Sequence, residues 1–170
     1  MSLYCIPAVE YRNDVPTPSK RYTTDTLAQE HGGWIDTEET TTLNGKKVPF
    51  VRYPFDGEQD TPRAFIGEYG WAESEISFLT KAGIPVMIRF FGKCVVGEAI
   101  ANLKDSSGLS VPCRLYRDGD ARVQFHVAMP TILLVPEREL EKGTKYTVTV
   151  TCTLDGTPFE RTWSFTTRSK

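Results

Sequence analysis

The sequence of 170 residues predicts an all-β fold, an antiparallel β-sandwich, and three observations lead there. Between Tyr146 and Thr153, apolar side chains (Tyr146, Val148, Val150, Cys152) alternate with threonines (Thr147, Thr149, Thr151, Thr153). That is the period-two pattern of a strand with one face buried and one wet. Asp155-Gly156 follows, a dipeptide suited to the positive backbone angles of a tight hairpin turn, and Phe159, Trp163 and Phe165 then resume the inward parity. From Ile84 onward, short β-prone runs separated by turn residues recur at intervals of roughly 8 to 12 residues, the rhythm of a two-sheet sandwich.

Taken along the chain, residues 1–33 are rich in proline, threonine and charge without clear periodicity, so an irregular amino-terminal arm laid over the sandwich is expected there. Trp34 to Pro54 places Asn44-Gly45 between two β-prone arms and reads as a hairpin. Tyr53 to Pro62 is a turn that marks a boundary, dividing the chain into an arm and hairpin at 1–50 and a sandwich at 51–170. Ala72 to Gly83 has a capping candidate in Ser74, apolar Ile76 and Leu79 and a terminal glycine, which allows one short helix. Strands are then expected at Ile84–Gly92, on either side of the turn Asp105–Gly108 within Val95–Tyr116, at Arg122–Val127 and at Thr131–Pro136.

Composition narrows the function classes. Twenty basic against 22 acidic residues leave a net charge of −2, without the one-signed field that draws proteins to nucleic acid or to anionic membrane. The longest apolar run, Thr131 to Val135, is far short of the roughly 20 residues needed to span a bilayer. The amino terminus has no basic head, apolar core or small-residue cleavage site of an export signal; a native signal lying upstream of Met1 is the expectation if this is a piece of a longer precursor. Cys5, Cys94, Cys113 and Cys152 are widely separated and form no CxxC pair, so their spacing matches no zinc or thioredoxin-like motif. Spacing does not choose among their three full pairings, nor between disulfides and buried thiols.

Candidate chemistry is sparse. His31 and His126 are the two histidines, too few for the three or four convergent ligands of a zinc site, and His126 within a strand is expected to be structural. Asp56, Glu58 and Asp60 have the alternate spacing of a calcium loop, but Thr61 occupies the position where an EF-hand needs glycine and Gly67 the one where it needs glutamate, so a solvated turn is expected. Glu68, Glu73 and Glu75 could pair for glycoside chemistry if their carboxyls stood roughly 5 to 10 Å apart. Glu68, Tyr69 and Trp71 combine an acid with aromatic surface able to stack on a sugar, and they are the ligand-binding candidates. No catalytic residue, metal ligand or cofactor is assigned.

Several segments resemble a known family: Val51 to Tyr69, Gly83 to Phe90 and Leu133 to Thr167, with Tyr53–Gly57 as a Tyr-Pro-x-Asp-Gly turn. Leu140, Gly143, Thr144, Tyr146–Val150, Gly156–Phe159 and Trp163–Thr167 supply its closing strands and turns. They resemble the carboxy-terminal Ig-like domain that follows the CAP domain in bacterial secreted proteins of the cysteine-rich secretory, antigen 5 and pathogenesis-related superfamily. Lys142 stands where that family favours proline and Thr61 where it favours valine, and residues 1–50 are too few for a CAP domain. The resemblance implies an Ig-like sandwich and an extracellular or cell-surface setting. The expected function is a non-catalytic accessory or interaction module whose partner is a protein or a cell-envelope glycan. The alternative is a carbohydrate-binding module or small glycan-acting hydrolase working through Glu68–Trp71.

Overall fold

The computed structural model describes residues 21–22, 35–36, 39–65, 82–117 and 130–170. Within them the chain is all strand: β1 (Arg21–Tyr22), β2 (Ile35–Asp36), β3 (Thr40–Leu43), β4 (Lys46–Tyr53), β5 (Glu58–Thr61), β6 (Ala64–Phe65), β7 (Ala82–Gly83), β8 (Val86–Phe90), β9 (Val96–Lys104), β10 (Cys113–Arg117), β11 (Thr131–Pro136), β12 (Lys145–Leu154) and β13 (Thr157–Thr167). Two sheets make the sandwich. The first runs β10-β11-β8-β4-β3 and the second β5-β13-β12-β9, with β1-β2 and β6-β7 as separate two-stranded pieces. No helix occurs among the described residues. The strand expected at Arg122–Val127 and all but the last two residues of the short helix expected at Ala72–Gly83 lie outside them; Ala82 and Gly83 themselves form β7, paired with β6.

The β12–β13 hairpin is the longest pairing, from Leu154↔Thr157 out to Lys145↔Thr166. Asp155 and Gly156 supply its turn at φ 49° and 79°, and the glycine meets that demand without steric cost. Alternation holds along β12: Tyr146, Val148, Val150, Cys152 and Leu154 are buried while the intervening threonines are half-exposed. In β13 the inward parity is interrupted once. Arg161 is exposed, its guanidinium resting 5.4 and 5.6 Å over the Phe50 and Phe159 rings.

The first sheet has a different grammar because both its faces are covered in the middle. Every residue of β8 and β11 is buried, which matches their continuous apolar runs rather than alternation. Arg89, buried in β8, donates from Nε to Thr131 Oγ1 across the ladder at 3.1 Å, so its charged head is hydrogen-bonded rather than bare. The Asn44-Gly45 hairpin joins β3 to β4 as expected. β4 then runs without a break through residue 50 and pairs Phe50 with Phe90 of β8.

Aromatic side chains hold the two sheets face to face. Phe159 of β13 meets Phe50 and Phe90 edge-on, at centroid distances of 5.5 and 5.0 Å. Buried Trp163 donates Nε1–H to the Pro54 carbonyl at 2.8 Å, past the cis Tyr53–Pro54 peptide, while Arg52 lies over its ring and pairs with Glu39 at 2.7 Å. Phe159→Ala should therefore cost about 3–5 kcal/mol in urea unfolding, the range for a deleted core aromatic. Trp163→Phe should cost about 1–3 kcal/mol by leaving the Pro54 carbonyl buried without its donor. Equal stability of either variant and the parent chain would contradict this account of the core.

Candidate functional site

Asp56, Glu58 and Asp60 stand in a turn, as their spacing predicts, and their hydrogen bonds build it. Asp56 Oδ1 accepts from Ser164 N at 3.0 Å and Glu58 Oε2 from Phe55 N at 2.8 Å, while Gly57 N donates to Ser164 O at 2.7 Å. The Asp60 carbonyl accepts from Arg168 Nε. These bonds stitch the turn to the outer edge of β13, where β5 lies parallel to it. Asp105 plays the same part: its Oδ1 accepts from the Ser107 hydroxyl at 2.6 Å and from the Ser107 and Leu109 amides, which lowers its pKa. Among the described residues, no three His, Cys, Asp or Glu side chains converge as a metal site. Glu68, Tyr69, Trp71, Glu73, Glu75, His31, His126 and Cys5 lie outside the described residues.

A cleft does open on the opposite flank of the sandwich. It measures about 610 Å³ and is lined by Glu98–Ile100 of β9, Leu115–Arg117 of β10 and Thr151–Thr153 of β12. Among the described residues β9 is the edge of one sheet and β10 the edge of the other. The two edges are tied at one end by the Lys104–Ser110 bridge and by Val111 N donating to Leu103 O at 2.8 Å. At the other end the Arg117 guanidinium donates to the Gly97 carbonyl. Between these ties the edges part. Ala99, half-buried in β9, has a side chain too small to fill the gap. Gly97 leaves room in this wall for the Thr153 hydroxyl across the ladder, which a Cβ at that position would force to turn aside.

The thiols bear on what this cleft can do. Cys94, Cys113 and Cys152 are all unpaired, so of the two readings of the cysteines the thiol one holds for these three. Burial pushes the Cys152 thiol up to about 11, with a further rise from nearby Cys94, and pushes Cys113 up to about 12, aided by Glu137. Burial and then Asp155 raise Cys94 as well. A thiol held protonated is a poor nucleophile at neutral pH, so Cys152 serves the cleft as an apolar wall. Periodicity predicts that Cys152 faces inward; the open cleft beside it depends on which strands are sheet edges, and the sequence carries no local signal for that.

No protein-family model matches the chain, and no curated protein matches it. Among solved structures, it is similar to CopC from Methylosinus trichosporium OB3b at 18% identity and a TM-score of 0.44, over 69% of this chain and 89% of that one. It is also similar to a DUF4426 family protein from Pseudomonas aeruginosa PAO1 at 13% identity and a TM-score of 0.37, over 75% and 93% of the two chains.

The raised thiols give a pH dependence with a definite sign. Between the ordinary value of 9.0 and the folded values of about 11 and 12, the unfolded chain releases protons that the folded chain retains. Stability contributed by the buried neutral thiols is complete below pH 9 and is lost as pH rises through that window. Cys113→Ala and Cys152→Ala should flatten the decline, measured by urea unfolding from about pH 8 to about pH 11. An identical slope in parent and variants would refute the assignment.

Proposed function

We propose that this chain is a non-catalytic Ig-like interaction module of a bacterial exported or cell-surface protein, binding a protein partner. The observation that carries the reading is the chemistry of the cleft: two strands that end their sheets among the described residues, apolar side chains, a thiol held protonated by burial and one guanidinium. Such a surface offers backbone hydrogen bonds and apolar contact rather than a nucleophile with its base. The described acids of the calcium-like run support it too, since turn hydrogen bonds already occupy Asp56 and Glu58. The bacterial, exported setting and the Ig-like family rest on the resemblance of Tyr53–Gly57 and Leu133–Thr167 to the domain that follows CAP domains.

The test is a turnover screen of the purified chain on cell-wall glycans, soluble oligosaccharides and peptides, with Glu68→Gln and His126→Ala alongside. No hydrolysis above buffer is expected, and no difference among the three proteins. Hydrolysis that is lost in either variant would overturn the reading in favour of a glycan- or peptide-acting hydrolase.

A further inference from the structure

The ladder register, together with the Leu103 carbonyl and the Asp105 amide that bond Val111 and Leu109 outside it, fixes which backbone groups of β9 point away from its sheet. Ile100, Asn102 and Lys104 turn their amides and carbonyls toward β12, where they meet Thr151, Thr149 and Thr147. Ala99, Ala101 and Leu103 therefore turn theirs outward. Leu103 is engaged by Val111, and the Gly97 carbonyl by Arg117. Among the described residues, no hydrogen bond meets the outward groups of Ala99 and Ala101.

Protection of this edge is confined to its ends, where Glu98 and Lys104 are exposed charges and the ladder to β12 is irregular between Cys152 and Leu154; the stretch between carries none. On the far side of the same sheet, the open stretch of β13 carries Pro158, which has no amide hydrogen, and the charged Glu160 and Arg161. Those are devices that discourage strand addition. β9 has no proline, and the large apolar residues most exposed in the described chain gather along it: Val95 just before it at 71%, Ile100 within it at 65%, and Leu109 in the turn after it at 68%. Solvated apolar groups beside unpaired backbone groups are the pattern that accepts an added strand.

We propose that the β9 edge binds a short extended segment of a partner protein, antiparallel to β9, with its carboxy-terminal carboxylate on Arg117. This rests on reading the chain as an interaction module and names the surface and the class of partner. Two constraints select the occupant. The open edge is only Ala99–Ala101, because the 109–111 turn covers β9 at Leu103 and Lys104. A second copy adding its nine-residue β9 about a two-fold axis centred on Ile100 would drive its Gly97 into that turn, whereas a short segment fits between the ties. Charge supplies the direction: among the described residues no carboxylate pairs with Arg117, and an antiparallel strand brings its carboxy terminus to the Gly97 end of β9. Alternate side chains of the segment would then face the cleft wall at Leu115 and Cys152.

Amide hydrogen exchange on the full chain tests this, with acetyl-Val-Thr-Val-Thr-Val as probe, once with a free carboxylate and once amidated. Ala99 and Ala101 should exchange rapidly in the free protein and slow by about tenfold or more at saturating acid peptide. The amide peptide should bind more weakly, and Arg117→Gln should remove that difference. Ala101→Pro, which deletes an outward amide while leaving the β12 ladder intact, should abolish the slowing, as should Ile100→Lys if the proline variant does not fold. Protection already present in the free chain at all protein concentrations would mean that its own residues cover the edge. Protection that grows with protein concentration would mean self-pairing. Either result, or no response to the peptide, overturns the proposal. Exchange reads edge pairing and not turnover, so its failure leaves the non-catalytic reading standing, while hydrolysis in the screen above would remove that reading whatever the edge does.

Discussion

The sandwich depends on the contact between its sheets made by Phe50, Phe90 and Phe159. Neither sheet is viable alone, since each presents a wide apolar face that must be covered. The three rings stand 5.0 to 5.9 Å apart, two of the contacts edge-on and the third tilted. Such pairs add about 0.5–1.5 kcal/mol each beyond the area they bury, and they restrict how the sheets can slide. Trp163 adds a directional bond to the Pro54 carbonyl on the same flank. That flank is therefore closed by large side chains and by a hydrogen bond reaching across the interior.

The opposite flank follows from this arrangement. With the sheets registered through β4 and β13, β9 is drawn to β10 and the turn before it by local bonds at Lys104–Ser110, Leu103–Val111 and Gly97–Arg117. Alanines stand between those points where the aromatic flank has phenylalanines. Packing at interior density needs side-chain volume, and where it is missing the sheets separate into a cleft.

Polar chemistry in the described chain is spent mainly on geometry. Asp56 and Glu58 close one turn onto β13, Asp105 closes another, and Asp155 holds the Val95 amide at 2.8 Å next to the β12–β13 turn. Each carboxylate satisfies backbone amides that would otherwise face solvent or partly dry surroundings, a common role for short acids in loops. The Asp56 turn also occupies the outer edge of β13 at Ser164. Among the described residues edge status is thus distributed unevenly, stitched and blunted along β13 and without a partner along the middle of β9.

Periodicity made β12, β13 and the hairpin turns at Asn44-Gly45 and Asp155-Gly156 legible before any coordinates, because those features depend on residues adjacent in the chain. The continuous apolar runs of β8 and β11 likewise announced strands buried on both faces. Two strands flanking the Asp105 turn were also readable, but not that they belong to different sheets: their lengths and composition are those of an ordinary pair, and the long-range register to β12 and β11 separates them. The sugar-stacking candidates Glu68, Tyr69 and Trp71 lie outside the described residues, while the cleft came from Ala99, Leu115 and Arg117, which no motif distinguishes. The sequence by itself determined where strands form and which side chains turn inward, since both follow from local alternation. Tertiary structure alone decided which strands end as edges and where the sandwich gapes, since an edge is defined by the absence of a neighbour, and neighbours are set by pairing between distant parts of the chain.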